Sequence, residues 1–192
     1  MNLIDLNKHA DHIGMLQQEK EVLMLTGFLA ALRPVNIMEI GTWKGGLFYT
    51  MCQMAPEQGV KISVDLDGYG DFDMGERNRT MRSWASDVRQ INASSHDDST
   101  LVWVTSALSG KKLDFLMIDG DHSKGGVRLD HWRYGPLVRP GGWIGFHDIV
   151  ESEKHVLAGC EVAEYWQQIT GHKIEISLGV DWGGLGLLQV ST

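Results

Sequence analysis

Short apolar runs, most of them beside glycine clusters and separated by helical patterns, recur from Val35 to Val190. This alternation constrains the fold more than any other feature. Val35 to Ile40, Val60 to Asp65, Leu101 to Thr105, Phe115 to Ile118 and Trp143 to Phe146 read as five strands. Phe115 to Ile118 is continuously apolar, as expected of a strand covered on both faces. Ile174 to Leu178 and Leu185 to Val190 add two more, joined through Gly183 and Gly184 as an antiparallel hairpin. Helical spacing fills the gaps over Gln17 to Leu32, Leu47 to Met54, Glu76 to Ile91, Val127 to Leu137 and Val156 to Ile169. Strands alternating with helices require right-handed crossovers and a mostly parallel sheet. The expected architecture is a Rossmann-like, doubly wound α/β sheet of seven strands with a C-terminal antiparallel hairpin. A length of 192 residues suits one domain over 1–192, with a helical segment over 1–33 and the α/β core over 34–192.

Composition removes several alternatives. The net charge of −8 argues against a broad nucleic-acid or anionic-membrane footprint. No apolar stretch approaches the roughly 18 residues of a membrane span. Charged residues interrupt Met1 to Leu16, so no secretory leader is expected and the cytoplasm is the expected location. Cys52 and Cys160 form no CxxC pair, which argues against a disulfide scaffold and a structural zinc cluster.

Four segments carry candidate chemistry, and all fall at strand ends, where open α/β sheets bind ligands. Glu39-Ile40-Gly41-Thr42-Trp43-Lys44-Gly45-Gly46 closes the first strand. It matches neither GxGxxG nor the phosphate loop. A carboxylate before the glycine turn suits a cationic or hydroxyl-bearing ligand better than a pyrophosphate. Asp65 ends the second strand, where a carboxylate can accept from both hydroxyls of a ribose; Asp67 is the second choice. Asp119-Gly120-Asp121-His122 and His147-Asp148 end neighbouring strands. Together they could hold a divalent cation or supply a general base. Arg77, Arg79, Arg82 and Arg89 read as a solvated helix face, and Trp84, Trp132 and Trp166 as packing residues.

These segments together resemble class I S-adenosylmethionine-dependent methyltransferases. The similarity is to the small-molecule O-methyltransferases of the macrocin O-methyltransferase and cephalosporin-hydroxylase-like group. Ile118 to Asp148 carries it most strongly; EIGTWKGG and VDLD match the cofactor half. The resemblance implies that Glu39, Gly41, Thr42, Lys44, Gly45 and Gly46 surround the methionine part of the cofactor. It places the ribose on Asp65, the adenine near Ser106, and Asp119 within reach of the cofactor amino group. It further implies that Asp119, His147 and Asp148 bind Mg²⁺ or another divalent cation, although metal-dependent branches usually carry an acid where His147 stands. Asp121 or His122 would take the acceptor's proton, with His147 beside them. The implied partner is a small hydroxylated acceptor, with no nucleic acid or membrane. Loops Gly68 to Gly75 and Ile149 to His155 would select it, or a neighbouring copy of the chain would complete the site. Different chemistry on the same cofactor fold, and a non-catalytic nucleoside-binding or regulatory subunit, are the alternatives.

Overall fold

A computed structural model of the chain describes residues 2–66, 72–178 and 182–191. Two helices, α1 (Leu3–Ile13) and α2 (Glu19–Leu32), precede the sheet. The order then runs β1 (Ile37–Ile40), α3 (Gly46–Met54), β2 (Lys61–Asp65), α4 (Met74–Met81), β3 (Val88–Asn92), α5 (Asp98–Leu108) and β4 (Leu113–Ile118). It continues through α6 (Lys124–Tyr134), a 3₁₀ turn at Gly135–Leu137, β5 (Val138–His147), α7 (Glu153–Ala158), α8 (Val162–Gln168), β6 (His172–Ile176) and β7 (Leu185–Gln189). The seven strands form one sheet in the order β3-β2-β1-β4-β5-β7-β6. Pairing is parallel from β3 through β5, while β7 runs antiparallel to both β5 and β6. The expected fold class is therefore observed. None of the helices formed by the described residues is long and apolar enough to cross a membrane.

Side chains alternate across the buried strands and fill two cores. On β4, Leu116 and Ile118 join Met38, Val104, Val127 and Trp166. Phe115 and Met117 join Val22, Leu25, Leu29, Phe48 and Met51 on the opposite face. Thus α2 and α3 cover one face, and α5, α6 and α8 the other. Burial of these aliphatic and aromatic groups is the main force holding the three layers together, at about 25 cal/mol per Å².

One strand differs from expectation. Leu101 to Thr105 is the middle of α5, and the third strand is Val88–Asn92, inside the segment expected to be helical. The β-branched run resembles a strand, but Thr100, Val104 and Leu108 recur every four residues and are the buried ones. Asp97 stands at the helix N-cap and Asp98 in its first turn, where negative charge is favourable. The true β3 lies at the sheet edge and buries only Ile91, so its polar residues hide the strand. The last expected helix is also split, with Gly159 in the left-handed conformation ending α7 before α8 begins.

The chain reverses direction across the sheet after β1. The β1–β2–β3 half grows one way, and the next strand, β4, returns to the other side of β1. That switch point opens a crevice at the carboxyl ends of β1 and β4.

Candidate active site

A cavity of about 740 Å³ occupies this crevice. Gly41 forms its floor at φ 83°. Its N–H donates to the Val64 carbonyl at 2.9 Å, and the Asp119 N–H donates to Ile40 at 2.8 Å. A Cβ at position 41 would overlap the Asp119 carbonyl, so only glycine lets the two strand ends approach this closely. Glu39 stands beneath the turn, 1% exposed, with Oε2 lacking a hydrogen-bond partner. Burial, then the nearby Asp119 charge, pushes its carboxyl well above the usual range.

Asp65 also lines the cavity. Its Oδ1 accepts from the Leu66 N–H at 3.0 Å, and its Oδ2 receives Arg77 at 2.6 Å. The same guanidinium nitrogen donates to the Trp43 carbonyl at 2.6 Å. Arg77 therefore belongs to the site's frame, contrary to its expected place on a solvated face. It ties α4 to both the glycine turn and the end of β2. Replacing Arg77 with Met would leave Asp65 without its counter-charge, at a cost of about 3 kcal/mol. The melting temperature is expected to fall by roughly 6–12 °C; an unchanged value in thermal denaturation would show that the pair contributes nothing.

Asp119 is the hub of the second half of the site. Gln17, from the α1–α2 linker, donates to its Oδ2 at 2.5 Å. His122 Nε2 and His147 Nδ1 each lie 3.2 Å from its Oδ1. Asp148 completes the cluster: Oδ2 is 3.1 Å from His122 Nδ1, and Oδ1 is 3.2 Å from both His147 Nδ1 and His155 Nε2. Burial opposes charge on Asp119, but His147 and His122 outweigh it and hold the carboxyl well below its ordinary range. Hydrogen bonding to Asp119, aided by Cys160, pushes His122 up to about 11. Burial works against charge on His147, yet Asp119 and Asp148 push it up to about 10. At neutral pH both rings are imidazolium and Asp119 is a carboxylate.

Several expected site residues are placed elsewhere. Ser106 is exposed on α5, away from the cavity; Ser94, Ser95 and His96, which follow the true β3, line it instead. Mistaking α5 for a strand caused that error. Lys44 lies over the Trp43 ring at 4.7 Å, and Gly45 caps α3 beneath Trp84; neither lines the cavity, whereas Gly46 does. Asp121 borders the cavity, but its Oδ1 accepts from the Ser123 N–H at 2.9 Å and its carboxyl packs over Gly126, holding the turn into α6. Asp67 lies outside the described residues. Gln17, Cys160 and Trp182 line the cavity without having been expected there, and His155, at the end of the loop expected to select the acceptor, lines it as well. Cys160, between α7 and α8, and Trp182, before β7, come from segments with no motif to mark them.

The sequence model of a family described as "Methyltransferase domain" matches residues 38–149. A curated relative, the uncharacterized protein y4gI of Sinorhizobium fredii, is 26% identical over 163 residues, covering 82% of this chain. The chain spans only 17% of that relative's length. Among solved structures, the chain is similar to the O-methyltransferase TomG from Streptomyces achromogenes, involved in tomaymycin synthesis and solved with SAM. The TM-score is 0.73 at 14% identity, covering 100% of this chain and 91% of that one. It is also similar to cofactor-bound Rv0187 from MTB, with TM-score 0.68, 19% identity, and 98% and 89% coverage. An O-methyltransferase from Bacillus cereus in complex with SAH gives TM-score 0.65 at 13% identity, with 97% and 90% coverage. At these identities the structural likenesses establish the fold.

Proposed function

Because the chain belongs to this methyltransferase-domain family, we propose that it transfers the methyl group of S-adenosylmethionine to a hydroxyl oxygen of a small molecule. The observation that carries the proposal is Glu39, a buried carboxylate without a full set of partners, set under a glycine turn at the sheet's switch point. The residues present fit the cofactor. The Gly41 cradle leaves room that a Cβ would fill, and Asp65 and Ser94 to His96 line the wall beyond. Two of the solved structures to which the chain is similar carry SAM or SAH.

When bound, S-adenosylmethionine supplies an electrophilic sulfonium methyl. The protein's task is to hold an acceptor oxygen in line with it and remove a proton. Glu39 Oε2 would accept a hydrogen bond from the ligand's ammonium group, which would favour the charged carboxylate. Asp65, oriented by Arg77, would accept from ribose hydroxyls. Gln17 Nε2 holds Asp119 Oδ2 from the cavity wall. Asp119, held as a carboxylate by His147 and His122, accepts the hydrogen bond of the acceptor hydroxyl and takes its proton as the methyl bond forms and the oxygen turns acidic. His122, already protonated, is a charged donor that orients both carboxylates. This differs from the base role that the resemblance implied for Asp121 or His122.

The same cluster is a poor match to Mg²⁺, which prefers an octahedron of oxygens. Asp119 and Asp148 are interleaved here with three imidazoles, and Cys160 is adjacent. No step above is routed through an ion.

Titration calorimetry with S-adenosylmethionine and with NAD tests the cofactor, followed by turnover across a panel of hydroxylated acceptors. Binding of NAD but not S-adenosylmethionine would overturn the proposal. Glu39→Gln is expected to weaken S-adenosylmethionine binding by roughly 10–100-fold, the loss of one charge-assisted hydrogen bond. The same change should raise the melting temperature of the free protein at neutral pH. Glu39 has a raised folded pKa, so as a carboxylate it opposes folding above its unfolded pKa, and the amide removes that cost. Equal affinity in both proteins would remove Glu39 from the binding site.

A further inference from the structure

Beside Asp119, three donors of different chemistry converge from separate segments. His122 follows β4, Asp148 follows β5, and Cys160 lies between α7 and α8. One ligand atom from each, a ring nitrogen, a carboxylate oxygen and Cys160 Sγ, all lie within 4.8 Å of one another. The backbone holds Cys160 in place. Its N–H donates to the His155 carbonyl at 2.8 Å, and the next N–H, of Glu161, donates to the His122 carbonyl at 2.8 Å.

Asp148 supplies independent support. It is 5% exposed, and its backbone sits at φ 60°, a left-handed conformation uncommon for any residue but glycine. The described ion-pair neighbours of its carboxylate are three imidazoles, His122 on Oδ2 and His147 and His155 on Oδ1. A buried carboxylate is costly without a positive partner, and a divalent ion at Oδ2 would take the place of the His122 proton as that partner. His122, Asp148 and Cys160 all border the cavity, so an ion among them would keep an open coordination position.

We propose that His122, Asp148 and Cys160 form a binding site for a borderline-soft divalent ion of the zinc type, open to the cavity. Sulfur and imidazole donors select such ions over Mg²⁺, and three protein ligands with one open position is the pattern of zinc sites that act on a bound oxygen. Binding displaces the Sγ proton and the proton that His122 Nδ1 shares with Asp148, and both leave to solvent. The site differs from the Asp119, His147 and Asp148 set by its thiolate. The absence of a CxxC pair does not bear on it, because the donors come from three loops. Any role of the ion in acidifying an acceptor hydroxyl rests on the O-methyl-transfer reading; occupancy of the site does not.

Co²⁺ added to the reduced 192-residue chain provides the test. The wild type should bind about one equivalent with a near-ultraviolet thiolate-to-cobalt charge-transfer band, and Zn²⁺ should displace it. Cys160→Ser, a near-isosteric change at a half-buried position, should abolish the band and weaken binding by at least about tenfold. Cys52 cannot stand in, because it is buried in the opposite core, where desolvation raises its thiol far above the ordinary range. Circular dichroism checks that the variant folds, and Cys160→Ala serves as a second variant. Failure to take up Co²⁺, uptake without the band, or a band that survives in both variants would each overturn the site. Calorimetry with S-adenosylmethionine on the same samples separates the two readings. Cofactor binding without Co²⁺ uptake sinks the ion site alone, and Co²⁺ uptake without cofactor binding sinks the methyltransferase reading alone.

Discussion

Asp119→Asn is expected to lower turnover by about 10²–10⁴-fold, the range for loss of a positioned proton-transfer group. It should also flatten the pH dependence of stability. In the wild type, His147 and His122 titrate at about 10 and about 11, against an ordinary 6.5. A raised pKa contributes stability that is complete below the unfolded value and is lost as pH rises through the folded one. Wild-type stability from these rings should therefore decline between about pH 6.5 and 11. Asp119 is displaced downward, so its own contribution is present above about 3.8 and lost only as pH falls through the depressed folded value. Asparagine removes the main counter-charge of both rings. Melting temperatures measured from pH 5 to 10 should fall with rising pH in the wild type and change much less in the variant. Parallel curves would show that Asp119 does not hold the imidazoles charged.

The second large effect is expected at Gly41. Alanine there must adopt φ 83° and place a methyl group against the Asp119 carbonyl. Left-handed backbone costs an L-residue roughly 1–2 kcal/mol, and overpacking adds roughly 1–3. The sum predicts a fall in melting temperature of roughly 5–15 °C. Relief of the clash also pushes β1 away from β4 where the cavity floor lies, so S-adenosylmethionine binding should be lost at temperatures where the variant remains folded. Calorimetry on the folded variant is the deciding measurement, and wild-type affinity would show that the close approach is incidental to the ligand.

Both residues were readable from the sequence, and the reasons are physical. Gly41 and Asp119 follow strands that are buried along their whole length and mostly apolar, and such strands announce themselves. The doubly wound class, the adjacency of β4 and β5 and the terminal hairpin followed from the same runs. Local patterning failed where a strand is half exposed: Arg89, Gln90 and Asn92 on β3 carry no burial signature. Ser106 was misplaced as a consequence. Arg77 looked like its exposed neighbours because helix spacing alone does not reveal that Asp65 lies across the turn from it. Cys160 and His155 reach the site by tertiary approach from a short helix and its exit. Thus the cavity wall built from strand ends was the more legible part, and the wall added by α7 and its exit the less.

The left-handed backbone at Asp148 limits which side chains can occupy that position. Glycine accepts φ 60° freely, and asparagine and aspartate tolerate it through local hydrogen bonding. An alanine scan would therefore mix two effects at this position, adding about 1–2 kcal/mol of backbone strain to the loss of a carboxylate. Asparagine separates them, because it keeps the conformational tolerance and removes only the charge. The same restriction applies to natural drift: among substitutions that leave the loop intact, the smallest chemical step available to this position is from acid to amide.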